Sequence, residues 1–258
     1  MKYEINYLEF WATGHCNLNC KGCSSCSPLS APWFLLPEQI KKDLLKIREL
    51  DIEIRNITIL GGEPLLHPKI VKIIEYVKEV YPMARVGLIT NGLLLLQMNE
   101  QFWKTCVKYN VKFNITCFPV MDSTLRKAIC KKLKEVNIEF HLTNKKKFNK
   151  ILTQNHNNDI NEIIKMCGCN KAYNLKDGKL SRCTVPMVIP VLNKKFNAEM
   201  IEGGMIDIYS VHSGSEIIDF LNKPNETCKN CSPSPIKVEW ERAGKHPQLT
   251  DWIIENEE

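Results

Sequence analysis

The chain has 258 residues, 44% hydrophobic and 25% charged, with 35 basic and 29 acidic side chains and a formal net charge of +6. That length allows one large domain, or a core with a small appendage, and no apolar run approaches the roughly 20 residues of a transmembrane helix. The positive excess is dispersed apart from a knot at Lys145, Lys146 and Lys147, which reads as a solvated surface rather than the dense, aromatic-laced footprint of a nucleic-acid binder.

Met1-Lys2-Tyr3-Glu4 leads without a signal peptide into a β-prone run from Tyr3 to Trp11, so a cytoplasmic location is expected. Twelve cysteines in a reducing compartment favour metal or catalysis over a disulfide framework. The first strand ends at Thr13-Gly14. Cys16, Cys20 and Cys23 then follow in a C-x3-C-x2-C spacing. Three thiolates that close on one loop can face one object. They suit a cubane cluster with one iron left without a protein ligand; free thiols, or a zinc site completed by Cys26, are the plainer alternatives.

Pro37 opens a helix with Ile40, Leu44 and Ile47 on one face. Ile54 to Leu60 is a buried parallel strand, stopped by Gly61-Gly62-Glu63-Pro64. The alternation continues with a helix over Pro68 to Val80, a strand over Ala84 to Ile89 ended by Thr90-Asn91-Gly92, a helix over Gln97 to Val107 and a strand over Val111 to Phe118. A helix over Ser123 to Val136, a strand over Ile138 to Leu142 and a possible sixth helix over Ile151 to Met166 complete it. Strands alternating with helices mean βα units and a parallel sheet, with too few repeats for a closed eight-stranded barrel. The fold expected is α/β: a partial parallel (β/α)6 TIM-type barrel over 1–160, followed over 161–258 by a small cysteine-rich subdomain. In such barrels the chemistry sits at the carboxyl ends of the strands. The cysteine loop, Gly61-Gly62-Glu63-Pro64, Thr90-Asn91-Gly92 and Thr116 all fall there. The two glycines of the second motif suit a backbone passing close to a ligand, and Glu63 suits an ammonium group.

Beyond residue 160 come Cys167, Cys169 and Cys183, then Cys228-Lys229-Asn230-Cys231. Asp177-Gly178 between two short alternating runs signals a hairpin. A C-x2-C knuckle with two distant cysteines makes a closed four-thiolate site, for zinc or for a cubane. Cys106, Cys117 and Cys130 read as buried hydrophobes. His15, His67 and His141 read as structural, and Lys179 and Arg182 as solvated hairpin residues.

The C-x3-C-x2-C loop after a first strand, and Gly61-Gly62-Glu63-Pro64 about forty residues on, resemble the signatures of the radical S-adenosylmethionine (radical SAM) superfamily. The resemblance implies a [4Fe-4S] cluster on Cys16, Cys20 and Cys23. Its open iron would take S-adenosylmethionine, which reductive cleavage turns into a 5′-deoxyadenosyl radical. Gly61, Gly62, Glu63 and Pro64 would hold the amino group of S-adenosylmethionine. Thr90, Asn91 and Thr116 would lie near its ribose and carboxylate, and the backbone at Gly22 near its adenine. The later cysteines resemble the one-cluster twitch appendage of the SPASM/twitch branch. That implies an auxiliary [4Fe-4S] cluster on Cys183, Cys228, Cys231 and one of Cys167 or Cys169. The layout is similar to the aminocyclitol dehydrogenase type of the butirosin pathway. It implies hydrogen abstraction from a small polar substrate (sugar, cyclitol or nucleotide-sugar), with the remaining electron passed to the auxiliary cluster. An external one-electron reductant such as flavodoxin or ferredoxin is implied, with no nucleic-acid or membrane partner. Maturation of a ribosomal peptide is the second expectation, weakened by the short stretch before Cys16. A non-catalytic iron-sulfur or zinc protein, as electron carrier or nucleic-acid binder, is the third.

Overall fold

A computed structural model describes residues 2–168 and 172–255. Its main sheet has eight strands: β1 (Tyr3–Thr13), β2 (Ile52–Gly61), β3 (Arg85–Thr90), β4 (Lys112–Cys117), β5 (Phe140–Asn144), β7 (Tyr173–Lys176), β8 (Lys179–Ser181) and β9 (Met205–Asp207). They lie in the order β5-β4-β3-β2-β1-β7-β8-β9. From β5 to β7 every pairing is parallel; β8 and β9 are added antiparallel. The chain thus forms the partial parallel barrel expected, with six parallel strands. The sixth joins the free edge of β1 rather than following β5. The sheet therefore runs across residue 160, the expected end of the core, without a break.

Helices α1 (Pro37–Glu49), α2 (Ile70–Val80), α3 (Glu100–Lys108) and α4 (Ser123–Glu135) connect the parallel strands. Local sequence explains each start. Pro37 occupies the first turn of α1, and the side chains of Asn99 and Asp122 accept from the Phe102 and Leu125 amides at 2.9 and 2.8 Å. Ile40, Leu44 and Ile47 of α1 and Ile70, Ile73, Ile74 and Val77 of α2 pack on the sheet face carrying Leu8, Phe10, Ile57, Ile59, Leu88 and Phe113. The other face is different. Register sets Tyr7 beside Asn56, Glu9 between Thr58 and Asn174, and Asn114 beside His141. One face thus makes the core, and the other is a polar floor.

Two expectations change. Ile151 to Met166 is not one helix: β6 (Lys147–Leu152) pairs antiparallel with β10 (Cys231–Glu239), and only Ile160–Met166 is helical, as α5. The strand wins because β10 offers a partner. Cys231 pairs with Leu152 and Ile236 with Lys150, so residues 232–235, with Pro233 and Pro235, form the bulge between them. Arg182 is not solvated: it is buried, and its Nη1 donates to Leu221 O at 2.9 Å. The Asp177-Gly178 hairpin is present, with φ of 48° and 73° at its two turn residues. A second core surrounds α6 (Val185–Phe196), where Leu152, Trp252 and Ile253 join it. Helix α7 (Gly214–Asn222) adds Ile217 and Leu221 to the first core. No helix of the described residues is long and apolar enough to cross a membrane.

Candidate functional site

A cavity of about 270 Å³ opens where the parallel strands end, and it is lined by Cys16, Cys20 and Cys23. Gly61, Gly62, Thr90, Asn91 and Thr116 line it from the ends of β2, β3 and β4, and Glu9 and Trp11 from β1. Pro64, buried at the start of a short 3-10 turn, and Gly22 do not. Gly22 (φ 65°) turns toward the C-terminal segment, where an added Cβ would stand 3.1 Å from Asp251 O.

The cysteine loop is tied to the second motif by backbone. Gly62 N donates to Thr13 O and Glu63 N to His15 O, both at 2.8 Å. An added Cβ at Gly61 or Gly62 would stand 2.3 Å from Thr13 O or His15 O respectively. The glycines are thus required first by the chain's own close approach, and only then by any ligand. Glu63 is completely buried. Its carboxylate accepts from Thr90 Oγ1 at 2.6 Å, Asn91 N at 2.8 Å and Leu65 N at 3.1 Å. Burial raises its pKa to about 7, against the pull of these donors. It braces the ends of β2 and β3 beneath the cavity. Asn91 Nδ2 donates to Asn17 Oδ1 at 2.7 Å, fastening the third motif to the cysteine loop.

The three thiols sit in an apolar pocket with Leu18 and Phe148, flanked by Phe118 and Trp240. Burial pushes the Cys16 thiol up to about 12 and the Cys20 thiol up to about 11. Trp240 Nε1 lies 3.1 Å from Cys20 Sγ and donates to it; Arg242 and Lys145 also favour its thiolate. Such a pocket holds thiols neutral until a metal replaces their protons. Three soft donors, an apolar wall and an indole N–H aimed at one sulfur fit an iron-sulfur cluster. Cys26, also buried, lies in the second core, away from the cavity lining.

Several of these residues escaped the motif reading. Trp240, Glu241 and Arg242 follow β10, and the segment behind them straps the cysteine loop. Lys21 N donates to Glu241 O at 2.9 Å, Ala243 N to Asn19 O at 2.8 Å and Trp252 Nε1 to Cys23 O at 3.1 Å. Lys21 also pairs with Asp251 at 3.1 Å. A tryptophan set among charges at 239–242 was the available signal. Lys145 is the other omission: it lines the cavity, with Nζ 4.9 Å from the Phe148 ring centre. Of the lysine knot only Lys146 and Lys147 are exposed. His67 is structural, contacting Leu35 O at 2.8 Å and accepting from Lys69 N at 3.0 Å.

A second cavity, of about 310 Å³, is lined by Cys167, Cys183, Cys228 and Cys231. They arrive from four places: the end of α5, the junction of β8 with α6, a 3-10 turn over Glu226–Asn230, and the first residue of β10. Ile151, Ile163, Ile164 and Val185 make its walls apolar. Cys169 lies outside the described residues. Among the described residues no three His, Cys, Asp or Glu side chains converge as a single-ion site. The four thiols instead surround a space, and this donor set, with apolar walls, fits a cluster.

A parallel half-barrel with a three-thiol loop at its carboxyl rim, braced by a Gly-Gly-Glu turn, defines a class of cluster-dependent enzymes. The Radical SAM superfamily profile matches residues 12–195, and the chain belongs to that superfamily. Its members use S-adenosylmethionine with a [4Fe-4S] cluster.

Among curated relatives, a GTP 3',8-cyclase from Thermodesulfovibrio yellowstonii is 34% identical over 110 residues, which is 41% of this chain and 33% of that protein. The chain thus spans about a third of that relative's length. A GTP 3',8-cyclase from Campylobacter jejuni subsp. doylei is 24% identical over 264 residues, 92% of this chain and 78% of that protein. Two solved structures share the fold. BtrN in complex with AdoMet and 2-DOIA has a TM-score of 0.59 at 17% identity, covering 98% of this chain and 100% of that one. Histidine-tagged anSMEcpe with bound AdoMet has a TM-score of 0.54 at 12% identity, covering 87% of this chain and 80% of that one.

Proposed function

We propose that the chain is a radical SAM dehydrogenase of the twitch type, which oxidises a small polar substrate and holds two clusters. Cys16, Cys20 and Cys23 hold the first; Cys183, Cys228, Cys231 and Cys167 hold the second, auxiliary one, in the cysteine-rich region after residue 160, part of which continues the main sheet. When bound, the first cluster and S-adenosylmethionine supply a 5′-deoxyadenosyl radical for hydrogen abstraction, and the second supplies an acceptor for the remaining electron. Backbone at Gly61 and Gly62, with Thr90 and Asn91, positions S-adenosylmethionine at the rim. Glu63 serves its amino group by bracing that backbone from below. The aromatic wall of Phe118, Phe148 and Trp240 keeps water from the loop. The polar floor around Tyr7, Glu9, Thr58 and Asn174 receives the substrate. A one-electron carrier such as flavodoxin or ferredoxin reduces the first site.

The observation that carries this reading is the four-thiol cavity standing apart from the three-thiol rim: a single-cluster enzyme would not require the first, and a plain electron carrier would not require a three-thiol rim braced by a Gly-Gly-Glu turn. The test is anaerobic reconstitution followed by iron and sulfide analysis. About eight of each per chain, and 5′-deoxyadenosine after reduction with S-adenosylmethionine present, support it. About four of each would remove the auxiliary cluster and the dehydrogenase step with it.

The GTP 3',8-cyclase relatives favour a second reading, a nucleotide-cyclising radical SAM enzyme. Consumption of GTP matched by 5′-deoxyadenosine formation would establish it in place of the first.

A further inference from the structure

Behind the cysteine loop lies a groove of about 740 Å³ that the proposed reaction leaves unused. Residues 29–33, the β7–β8 hairpin, α6 and Met205 of β9 form it. Its centre is apolar, with Trp33, Met187, Pro190 and Val191. Its rim is basic: Lys176, Lys179, Lys194 and Lys195 line it, against one acid, Asp177. Lys179, Lys194 and Lys195 are exposed. Among the described residues none of the four lysines forms an ion pair. Lys194 and Lys195 stand in the last turn of α6, where they also suit the negative end of the helix. Lys176 and Lys179 flank the hairpin turn. The fold thus gathers the cations from two elements around one apolar centre.

An apolar centre inside a charged rim is the anatomy of a protein–protein interface, and unpaired cations on such a rim steer an acidic partner toward it. Position shows what can pass across it. No described residue lines both this groove and the cavity of the three cysteines, so an occupant of the groove does not reach the reacting atoms. Trp33 nevertheless joins the two. Its carbonyl accepts from Thr13 Oγ1 at 2.6 Å and from Gly14 N at 3.2 Å, and an added Cβ at Gly14 would stand 2.2 Å from its Nε1. Gly14 precedes Cys16 by two residues, at most about 7 Å of chain. Lys176 Nζ lies 5.0 Å from the Trp33 ring centre and 5.7 Å from that of Trp11, which lines the cysteine cavity. A partner seated here is close to the first site without entering it, which suits exchange of an electron and not delivery of a substrate.

We propose, resting on the reading of Cys16, Cys20 and Cys23 as the holders of a reducible cluster, that this groove is the docking surface for the acidic one-electron carrier protein that reduces it. In each encounter the carrier loses one electron and the first site gains it; no bond forms or breaks and no proton moves. The contact is small and short-lived, as electron-transfer encounters are, and the lysines set the rate of encounter.

The test mixes reconstituted holoprotein, with S-adenosylmethionine bound, with reduced flavodoxin in an anaerobic stopped-flow measurement of cluster absorbance. Lys179→Glu, Lys194→Glu and Lys195→Glu combined should slow the reduction about tenfold or more at low ionic strength, and the difference should shrink as salt is added. Iron content and the yield of 5′-deoxyadenosine with dithionite should match the wild-type protein. Lys127→Glu, Lys131→Glu and Lys134→Glu on α4 change the net charge by the same amount and should leave the flavodoxin rate near wild type. The inference is overturned if the groove variant keeps the wild-type rate, if the α4 variant slows as much, or if flavodoxin and ferredoxin both fail to reduce a wild-type protein that dithionite does reduce. It is also overturned if the groove substitutions instead abolish self-association or co-sedimentation with phosphatidylglycerol vesicles, because a second copy or a lipid surface would then be the occupant. If dithionite itself gives no 5′-deoxyadenosine from the wild-type protein, the cluster reading fails, whereas an unchanged flavodoxin rate in the groove variant leaves that reading intact and removes only the docking surface.

Discussion

The two cysteine regions of this molecule are built by opposite means. Cys16, Cys20 and Cys23 share eight residues of one loop, and the fold's task is to brace that loop: from behind through Gly62, Glu63 and Asn91, and from outside through Trp240 and Trp252. Cys167, Cys183, Cys228 and Cys231 have no common loop, and the fold itself is what brings them together. A local site survives small changes in packing because its donors are adjacent in the chain. A dispersed site exists only while four elements hold their places.

The sharpest way to break this contrast is to remove each set of thiols. Replacing Cys16, Cys20 and Cys23 together by Ala should lower iron by about four per chain and abolish 5′-deoxyadenosine formation. Replacing Cys183 and Cys228 should remove a similar amount and leave cleavage of S-adenosylmethionine measurable. If either variant loses all its iron, the two sites are not independent.

Asn230 tests the dispersed site without touching a thiol. It is fully buried between Cys228 and Cys231. Its Nδ2 donates to Ile201 O at 2.8 Å and Thr227 O at 3.1 Å, and its Oδ1 accepts from Ile201 N at 2.9 Å. Asn230→Ala should cost about 1–3 kcal/mol by leaving these groups unpaired, a Tm drop of about 2–4 °C per kcal/mol. Iron at the second site should fall while the first keeps its complement. Equal loss at both would show that the sites fold as one unit.

Glu63 tests the brace under the first site. Its folded pKa, raised by burial from 4.5 to about 7, means that the native chain holds a proton there which the unfolded chain has released. The stability this contributes is full below about 4.5 and is lost as pH rises through about 7. In denaturant unfolding of the metal-free protein, the wild-type advantage over Glu63→Gln should therefore shrink between pH 5 and pH 8. A constant difference would mean that Glu63 is not the titrating group.

The smallest effect is expected at Trp240. Trp240→Phe keeps an aromatic ring beside Phe118 and Phe148 but removes the donor to Cys20 Sγ, worth about 1 kcal/mol. Hydrogen bonds to cluster sulfurs help to set the reduction potential, so the first cluster should become harder to reduce and its electron paramagnetic resonance spectrum should shift. An unchanged potential would reduce the strap to a packing role.

Local patterns made much of this legible. The Cys16–Cys23 spacing, Gly61-Gly62-Glu63-Pro64 and the alternation of apolar strands with amphipathic helices are short-range features, and they determined the superfamily, the parallel sheet and the rim on which the first site stands. Even the Asp177-Gly178 hairpin was readable, because the turn demands positive φ at both residues. Long-range pairing was not readable. Nothing near Ile151 announces that it belongs to a strand paired with residues eighty positions later, so a helix was expected there. Nothing near Arg182 announces the Leu221 carbonyl that buries it. Tertiary structure alone decided that Trp240 reaches Cys20, that Lys145 turns inward, that Glu63 is a brace beneath the cavity, and that Cys167 lines the same space as Cys183, Cys228 and Cys231. The physical reason is common to all of them: these side chains are positioned by contacts between elements distant in sequence, and local propensity carries no record of which distant partner a strand or turn will meet.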